Sequence, residues 1–117
     1  MSEQNNLLPI DFTDFSKVQI CAGTIIEAEL NEKALKPAYV LRIDFGLLGI
    51  KTSSAQITQH YSPESLIGQQ IVAVMNFPMK RIAGIKSEVL VLACVSEENG
   101  TVLLSPTMPV PNGCRVS

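Results

Sequence analysis

The stretch YVLRIDFG, residues 39–46, alternates cleanly. Leu41, Ile43 and Phe45 fall on one side of an extended chain, and Arg42 and Asp44 on the other. That is the pattern of a strand with one face in a core and one in water. Gly46 and Gly49 bracket a turn into a second extended run, IKTSSAQI. Upstream, residues 18–30 read as a longer strand that carries Gly23 in its interior. Glycine weakens a strand, so Gly23 is expected to mark a bulge or sharp bend. Pro37 stops the connection between these two strands.

Downstream, TQHYSPESLIGQQ (58–70) breaks the two-residue rhythm and predicts a short helix ending near Gly68. IVAVMNF (71–77) is a strand halted by Pro78, and EVLVLACVS (88–96) is another. ENG (98–100) is a hairpin turn into TVLLS. A tail with Pro106, Pro109 and Pro111 reaches an Asn112-Gly113 turn before a last segment, CRV. At the other end DFTDFSK (11–17) predicts one helical turn with Phe12 and Phe15 on one face. Three strands, a short helix and further strands is the order of an OB-fold, a five-stranded Greek-key barrel. The expectation is therefore mainly all-β: a leader over residues 1–10, then one domain over 11–117. Other small barrels share the same strand pattern.

Composition excludes several classes. The chain has 117 residues, 46% hydrophobic and 17% charged, which places it among globular domains able to bury a core without staples. Cysteines stand at 21, 94 and 114, too far apart for a CxxC redox pair or a zinc knuckle. Cys94, inside an apolar run, is expected to be a small buried hydrophobe. The odd cysteine count suits a reducing compartment, and the N-terminal residues show no signal-peptide pattern. The longest apolar run, residues 89–95, is seven residues, against about 20 for a membrane span. A cytoplasmic protein with no membrane insertion is expected.

Nothing specific supports catalysis. His60 has no ligand partner at useful spacing and is expected on the surface of the helical segment. No Gly-rich phosphate loop, GxSxG or paired carboxylates occur, and Ser53 and Ser54 have no positioned base; a strand end or helix cap is their default place. No catalytic residue, cofactor or metal is expected.

Charge, by contrast, is segregated. Residues 1–32 hold six acids against Lys17 alone, while residues 33–51 hold Lys33, Lys36, Arg42 and Lys51 against Asp44. Residues 65–87 contain no acid, and carry Lys80, Arg81 and Lys86, a third of the nine cations of a chain whose net charge is −2. Residues 78–87 would be the loop between the fourth and fifth strands, which in OB-folds flanks the nucleic-acid face together with the first connection. Lys80, Arg81 and Lys86 on one mobile loop would meet phosphates, the main source of affinity for nucleic acid. Asn76 and Ser87 at its two ends would add hydrogen bonds to sugar, phosphate or base edges. The competing reading is a solvated loop that aids solubility. Stacking platforms are scarce: Phe77, Tyr39 and Tyr61 are the candidates, and Phe77 reads better as core. A structured RNA recognised by shape and backbone fits better than a single strand.

Residues 89–95 are apolar at every position. A small barrel can bury only one face of such a strand; either the N-terminal segment or a second copy of the chain must cover the other, and a symmetric homodimer is the preferred reading.

The segments DFSKVQICAGTIIEAEL, IDFGLLGIKTSSAQITQHYSPESLIGQQIVAVMNFP, RIAGIKSEVLVLA and LLSPTMPVPNGCRV resemble the free-standing tRNA-binding domain family, most closely its CsaA-type, export-related chaperones. The likeness spans about residues 11–117. It implies an OB-fold homodimer related to the tRNA-binding modules appended to methionyl-tRNA synthetases, with tRNA and unfolded or exported preproteins as partners. By position, Asn76, Lys80, Arg81, Lys86 and Ser87 match the family's RNA-contacting region. Two departures stand out: Gln19-Ile20-Cys21 where the family commonly has Asp-Ile-Arg, and Pro78-Met79-Lys80 where it has Pro-Pro-Arg. Met79 with Phe77 and Ile82 could instead line an apolar patch for an unfolded peptide.

Overall fold

The computed structural model describes residues 7–117; of the expected leader, residues 1–6 lie outside the described part. A short helix, α1 (Phe12–Ser16), precedes three strands: β1 (Ile20–Leu30), β2 (Tyr39–Asp44) and β3 (Ile50–Ala55). A helical turn, α2 (Pro63–Leu66), leads to β4 (Gln70–Val74). Five short strands follow: β5 (Lys80–Ile82), β6 (Ile85–Ser87), β7 (Leu90–Val91), β8 (Ala93–Ser96) and β9 (Gly100–Leu103). An antiparallel sheet in the order β3-β2-β1-β4-β7 forms the expected OB-like barrel, nearly closed, with β5–β6 and β8–β9 as separate hairpins.

The alternation in YVLRIDFG decides what is inside. Leu41, Ile43 and Phe45 are fully buried and join Ile25, Leu66 and Ile71 in the core, while Arg42 faces water. Gly23 marks close packing and not a bulge. A β-carbon there would lie 2.6 Å from the Phe45 ring and 2.8 Å from Ile43 Cγ2. The bulge falls two residues later, where the β1–β2 register slips between Ile25 and Glu27. It lets one long strand serve two neighbours, since residues 20–24 pair with β4 and residues 24–30 with β2.

The tail straps the start of β1. Cys114 O accepts from Ala22 N (2.8 Å), Gly113 N donates to Ala22 O (2.7 Å) and Val116 N donates to Ile20 O (2.8 Å). Gln70 holds the proline-rich part, donating from Nε2 to Val110 O and accepting from Val110 N.

The fifth strand differs from expectation. Residues 88–96 do not run straight; they break at Leu92 into β7, which finishes the barrel, and β8, which leaves it. Cys94 is consequently exposed, not buried. Phe77 is likewise no core residue: regular pairing of β4 ends at Val74, and Phe77 is 52% exposed. His60 lies in a turn before α2, with its ring nitrogen against Asn99 O.

Candidate nucleic-acid interface

Residues 78–87 are more ordered than a loop. β5 and β6 pair in the register Lys80↔Ser87, Arg81↔Lys86, Ile82↔Ile85 around a two-residue tip, Ala83-Gly84. Both tip residues have positive φ, +49° and +84°, the conformation of the tight turn whose twist matches paired strands. Ala83 is the one non-glycine residue with positive φ among the described residues; such a backbone costs an L-residue roughly 1–2 kcal/mol.

The ladder sorts the three cations. Side chains alternate along a strand, and cross-strand partners share a face. Arg81 and Lys86 therefore stand directly opposite on one face, whereas Lys80 shares the other with Ile82, Ile85 and Ser87. All three cations are exposed. The single ion pair among the described residues is Lys17–Asp14 at 3.8 Å, so neither Arg81 nor Lys86 has an acidic partner there. Like charges directly opposite destabilise a hairpin; the arrangement suits an anion lying across both.

Asn76 and Ser87 both make hydrogen bonds within the fold. Asn76 Oδ1 accepts from Gln19 N (2.9 Å) and its Nδ2 donates to Lys17 O (2.8 Å), tying the outgoing stem of the hairpin to the entry of β1. Ser87 is buried, and its Oγ accepts from Ser54 N at 3.1 Å. Beside it Glu88 Oε1 accepts from Thr52 N (2.9 Å), Glu88 N donates to Thr52 O (2.8 Å) and Ser53 Oγ donates to Val89 O (3.1 Å). Thus Ser53 and Ser54 are barrel-seam residues within β3. Both stems are held by side chain to backbone bonds, in which the exposed Asn76 amide and the buried Ser87 hydroxyl fix the hairpin.

One further cation joins the tip. A β-carbon on Gly84 would lie 3.6 Å from Lys33 Cδ and 3.9 Å from Lys33 Nζ, which places the Lys33 stem over the turn. Sequence reasoning leaves Lys33 out of the site, although the run of cations in residues 33–51 is its signal; only folding brings the β1–β2 connection beside the hairpin.

The apolar candidates are only partly gathered. Phe77 and Ile82 line a cleft of about 360 Å³ with Pro78, Lys80, Val89 and Leu90. Met79 is 50% exposed but lies outside that lining. Tyr39 and Tyr61 are taken up internally: Tyr39 Oη donates to Tyr61 O (2.6 Å), and Tyr61 Oη accepts from Leu103 N (3.0 Å). Among the described residues no group of three or more His, Cys, Asp or Glu could hold a metal ion, and no helix is long and apolar enough to cross a membrane.

Comparison with known proteins decides the family. Residues 20–115 match the family described as "Putative tRNA binding domain". The chain belongs to this family. Methionine–tRNA ligases of Flavobacterium johnsoniae and Porphyromonas gingivalis are 34% and 36% identical over 108 and 107 residues, 92% of this chain in each case. The chain spans only 15% of the length of either ligase. Among solved structures, the chaperone CsaA of Bacillus anthracis is 55% identical with a TM-score of 0.89, covering 94% of this chain and 100% of its own. The CsaA chaperone of Picrophilus torridus is 45% identical with a TM-score of 0.86, covering 93% and 100%. These two CsaA structures share both the barrel and about half of the sequence with this chain.

Proposed function

We propose that this chain is a non-catalytic, CsaA-like cytoplasmic protein that binds structured RNA, tRNA above all, as a homodimer through the basic hairpin between β4 and β7. The observation that carries the reading is the Arg81–Lys86 pair, without an acidic partner among the described residues, on a hairpin whose two stems are both anchored. Lys80, on the opposite face, supplies a third positive charge, and Asn76 and Ser87 serve by holding the hairpin in place. With Tyr39 and Tyr61 occupied internally, Phe77 alone of the three candidates is exposed, and one such ring favours backbone contacts to a folded RNA over stacking along a single strand.

A second copy is supported by apolar side chains left in water. The β8–β9 hairpin exposes Val95 (76%) on one face and Val102 (41%) on the other, beside Leu90 and Leu104. α1 buries none of its own residues, so the described N-terminal segment is not a cover for them.

The test is tRNA binding across a salt series for the wild type and a Lys80→Glu, Arg81→Glu, Lys86→Glu variant. The wild type should lose affinity steeply with salt, and the variant should bind weakly with a shallower slope, because every phosphate left without its cation takes about 0.7–0.9 off that slope. Equal affinity and slope would refute the hairpin as the RNA site.

The half-exposed Phe77 and Met79 favour one alternative, a chaperone for unfolded or exported preproteins that uses Phe77, Met79 and Ile82. Suppression of client aggregation that survives the triple Glu change but disappears in a Met79→Ser, Ile82→Ser variant would support it.

A further inference from the structure

Two successive carbonyls between α1 and β1 are held by two elements that flank β1 on opposite edges. Ser16 O, at the end of α1, accepts from the Arg115 guanidinium (2.7 Å), and Lys17 O accepts from Asn76 Nδ2 (2.8 Å). Arg115 belongs to the tail, 99 residues along the chain from Ser16, and Asn76 to the stem that leads out of β4 into the hairpin. The same division continues into β1. On the tail edge Arg115 stands opposite Cys21, and Val116 N donates to Ile20 O (2.8 Å). On the other edge Cys21 pairs with Ala73, Met75 N donates to Gln19 O (2.7 Å) and Gln19 N donates to Asn76 Oδ1 (2.9 Å). Residues 16–22 are thus the middle member of a three-stranded arrangement of tail, β1 entry and hairpin stem. No residue from 16 to 20 is buried, and α1 buries none of its own. The junction is therefore located by hydrogen bonds and not by a core, and what loosens one edge loosens the other. Arg115 itself is exposed and has no acidic partner among the described residues. Its one polar contact there is the carbonyl at the end of α1, a place where a cation is favoured.

We propose that Arg115 is a positioning residue for RNA binding: it fixes the α1–β1 junction, the junction fixes Asn76, and Asn76 fixes the stem that carries Arg81 and Lys86. This role rests on the RNA-binding reading above and makes the tail part of the binding machinery, although the guanidinium touches no RNA. The coupling runs both ways, because linked equilibria are reciprocal. RNA seated on the hairpin holds the stem, the stem holds residues 16–20, and these hold the tail against β1.

The experiment measures binding of purified bulk tRNA across a salt series, with amide exchange on the same proteins, for the wild type, Arg115→Ala, Arg115→Lys, Asn76→Ala and the double variant Arg115→Ala, Asn76→Ala. Arg115→Ala should weaken binding about threefold with an unchanged salt slope, since no phosphate-binding cation is lost. Arg115→Lys keeps a donor for Ser16 O and should recover most of that loss. In Arg115→Ala the amides of Gln19 and Met75 should exchange faster while those of β2 keep the wild-type rate, a pattern that general destabilisation does not give. With Asn76→Ala already present, Arg115→Ala should weaken binding no further. Bound tRNA should slow exchange at Ala22 and Val116 in the wild type and not in Asn76→Ala. A lowered salt slope in Arg115→Ala would make Arg115 a phosphate contact, and additive losses in the double variant would make it act without Asn76; either overturns the positioning role. Unchanged affinity in Arg115→Ala overturns it too and leaves the hairpin site standing. Unchanged affinity when Lys80, Arg81 and Lys86 are all replaced by Glu overturns the hairpin site, and the positioning role with it.

Discussion

Arg81 and Lys86 face one another across the β5–β6 hairpin with no acidic partner among the described residues, on an element whose stems are pinned by Asn76 and by Ser87. Selection for stability alone would place opposite charges in such a pair. The first prediction uses that conflict. Arg81→Glu creates an oppositely charged pair with Lys86 and should stabilise the fold by about 0.2–1 kcal/mol, while weakening tRNA binding and lowering its salt slope. Urea denaturation and a salt-titrated binding curve on the same variant should therefore move in opposite directions; a fall in both would mean the pair is structural.

Ser87 tests the anchoring role. Ser87→Ala leaves the Ser54 N–H without its acceptor at the barrel seam, a cost of about 1 kcal/mol for a half-buried group. The variant should show faster amide exchange at Ser54 and along β5–β6. Its tRNA affinity should fall with the salt slope intact, since no phosphate-binding cation is removed, and Ser87→Thr should recover part of it.

Gly23 reports on packing. A methyl group there would lie 2.6 Å from the ring of Phe45, which is fully buried and has no room to retreat. Gly23→Ala should cost about 1–3 kcal/mol, the usual range for overpacking, read as a lower urea midpoint. An unchanged midpoint would show that β1 and β2 can separate at this point.

The cysteines differ in reach. Cys21 is buried beneath the tail, and Cys94 and Cys114 are exposed, so a thiol reagent on the native protein should modify two groups quickly and the third only on unfolding. Burial pushes the Cys21 thiol above its ordinary value of 9.0, the Arg115 guanidinium opposes this, and Cys114 adds to the rise. The folded chain then holds that proton more tightly than the unfolded one. The resulting stabilisation is complete below pH 9.0 and is lost as pH rises through the folded-state value. Cys21→Ala should lessen the alkaline loss of stability; three equally fast thiols would contradict the burial.

Dimerisation can be tested at Val95. Sedimentation at micromolar concentration should give a dimer for the wild type and a monomer for Val95→Glu, with weaker tRNA binding because two linked hairpins act together. A wild-type monomer would remove the second copy from the functional reading.

The strands of the barrel and the side chains they bury are legible in the sequence alone. Alternation in residues 39–46 puts Leu41, Ile43 and Phe45 in the core because a pleated strand offers its two faces to different surroundings, a rule that needs no knowledge of the partner strand. The acid-free stretch also located the basic element, since charge is a property of composition. The tertiary structure decided what depends on which backbone groups meet. Asn76 and Ser87 look like free hydrogen-bonding residues in the chain, yet both make bonds to Gln19, Lys17 and Ser54, between 33 and 59 residues away. Cys94 reads as core until the break at Leu92 turns its strand out of the barrel. Lys33 joins the tip of a hairpin that begins almost fifty residues later in the chain, a proximity set by barrel closure and invisible to any local pattern.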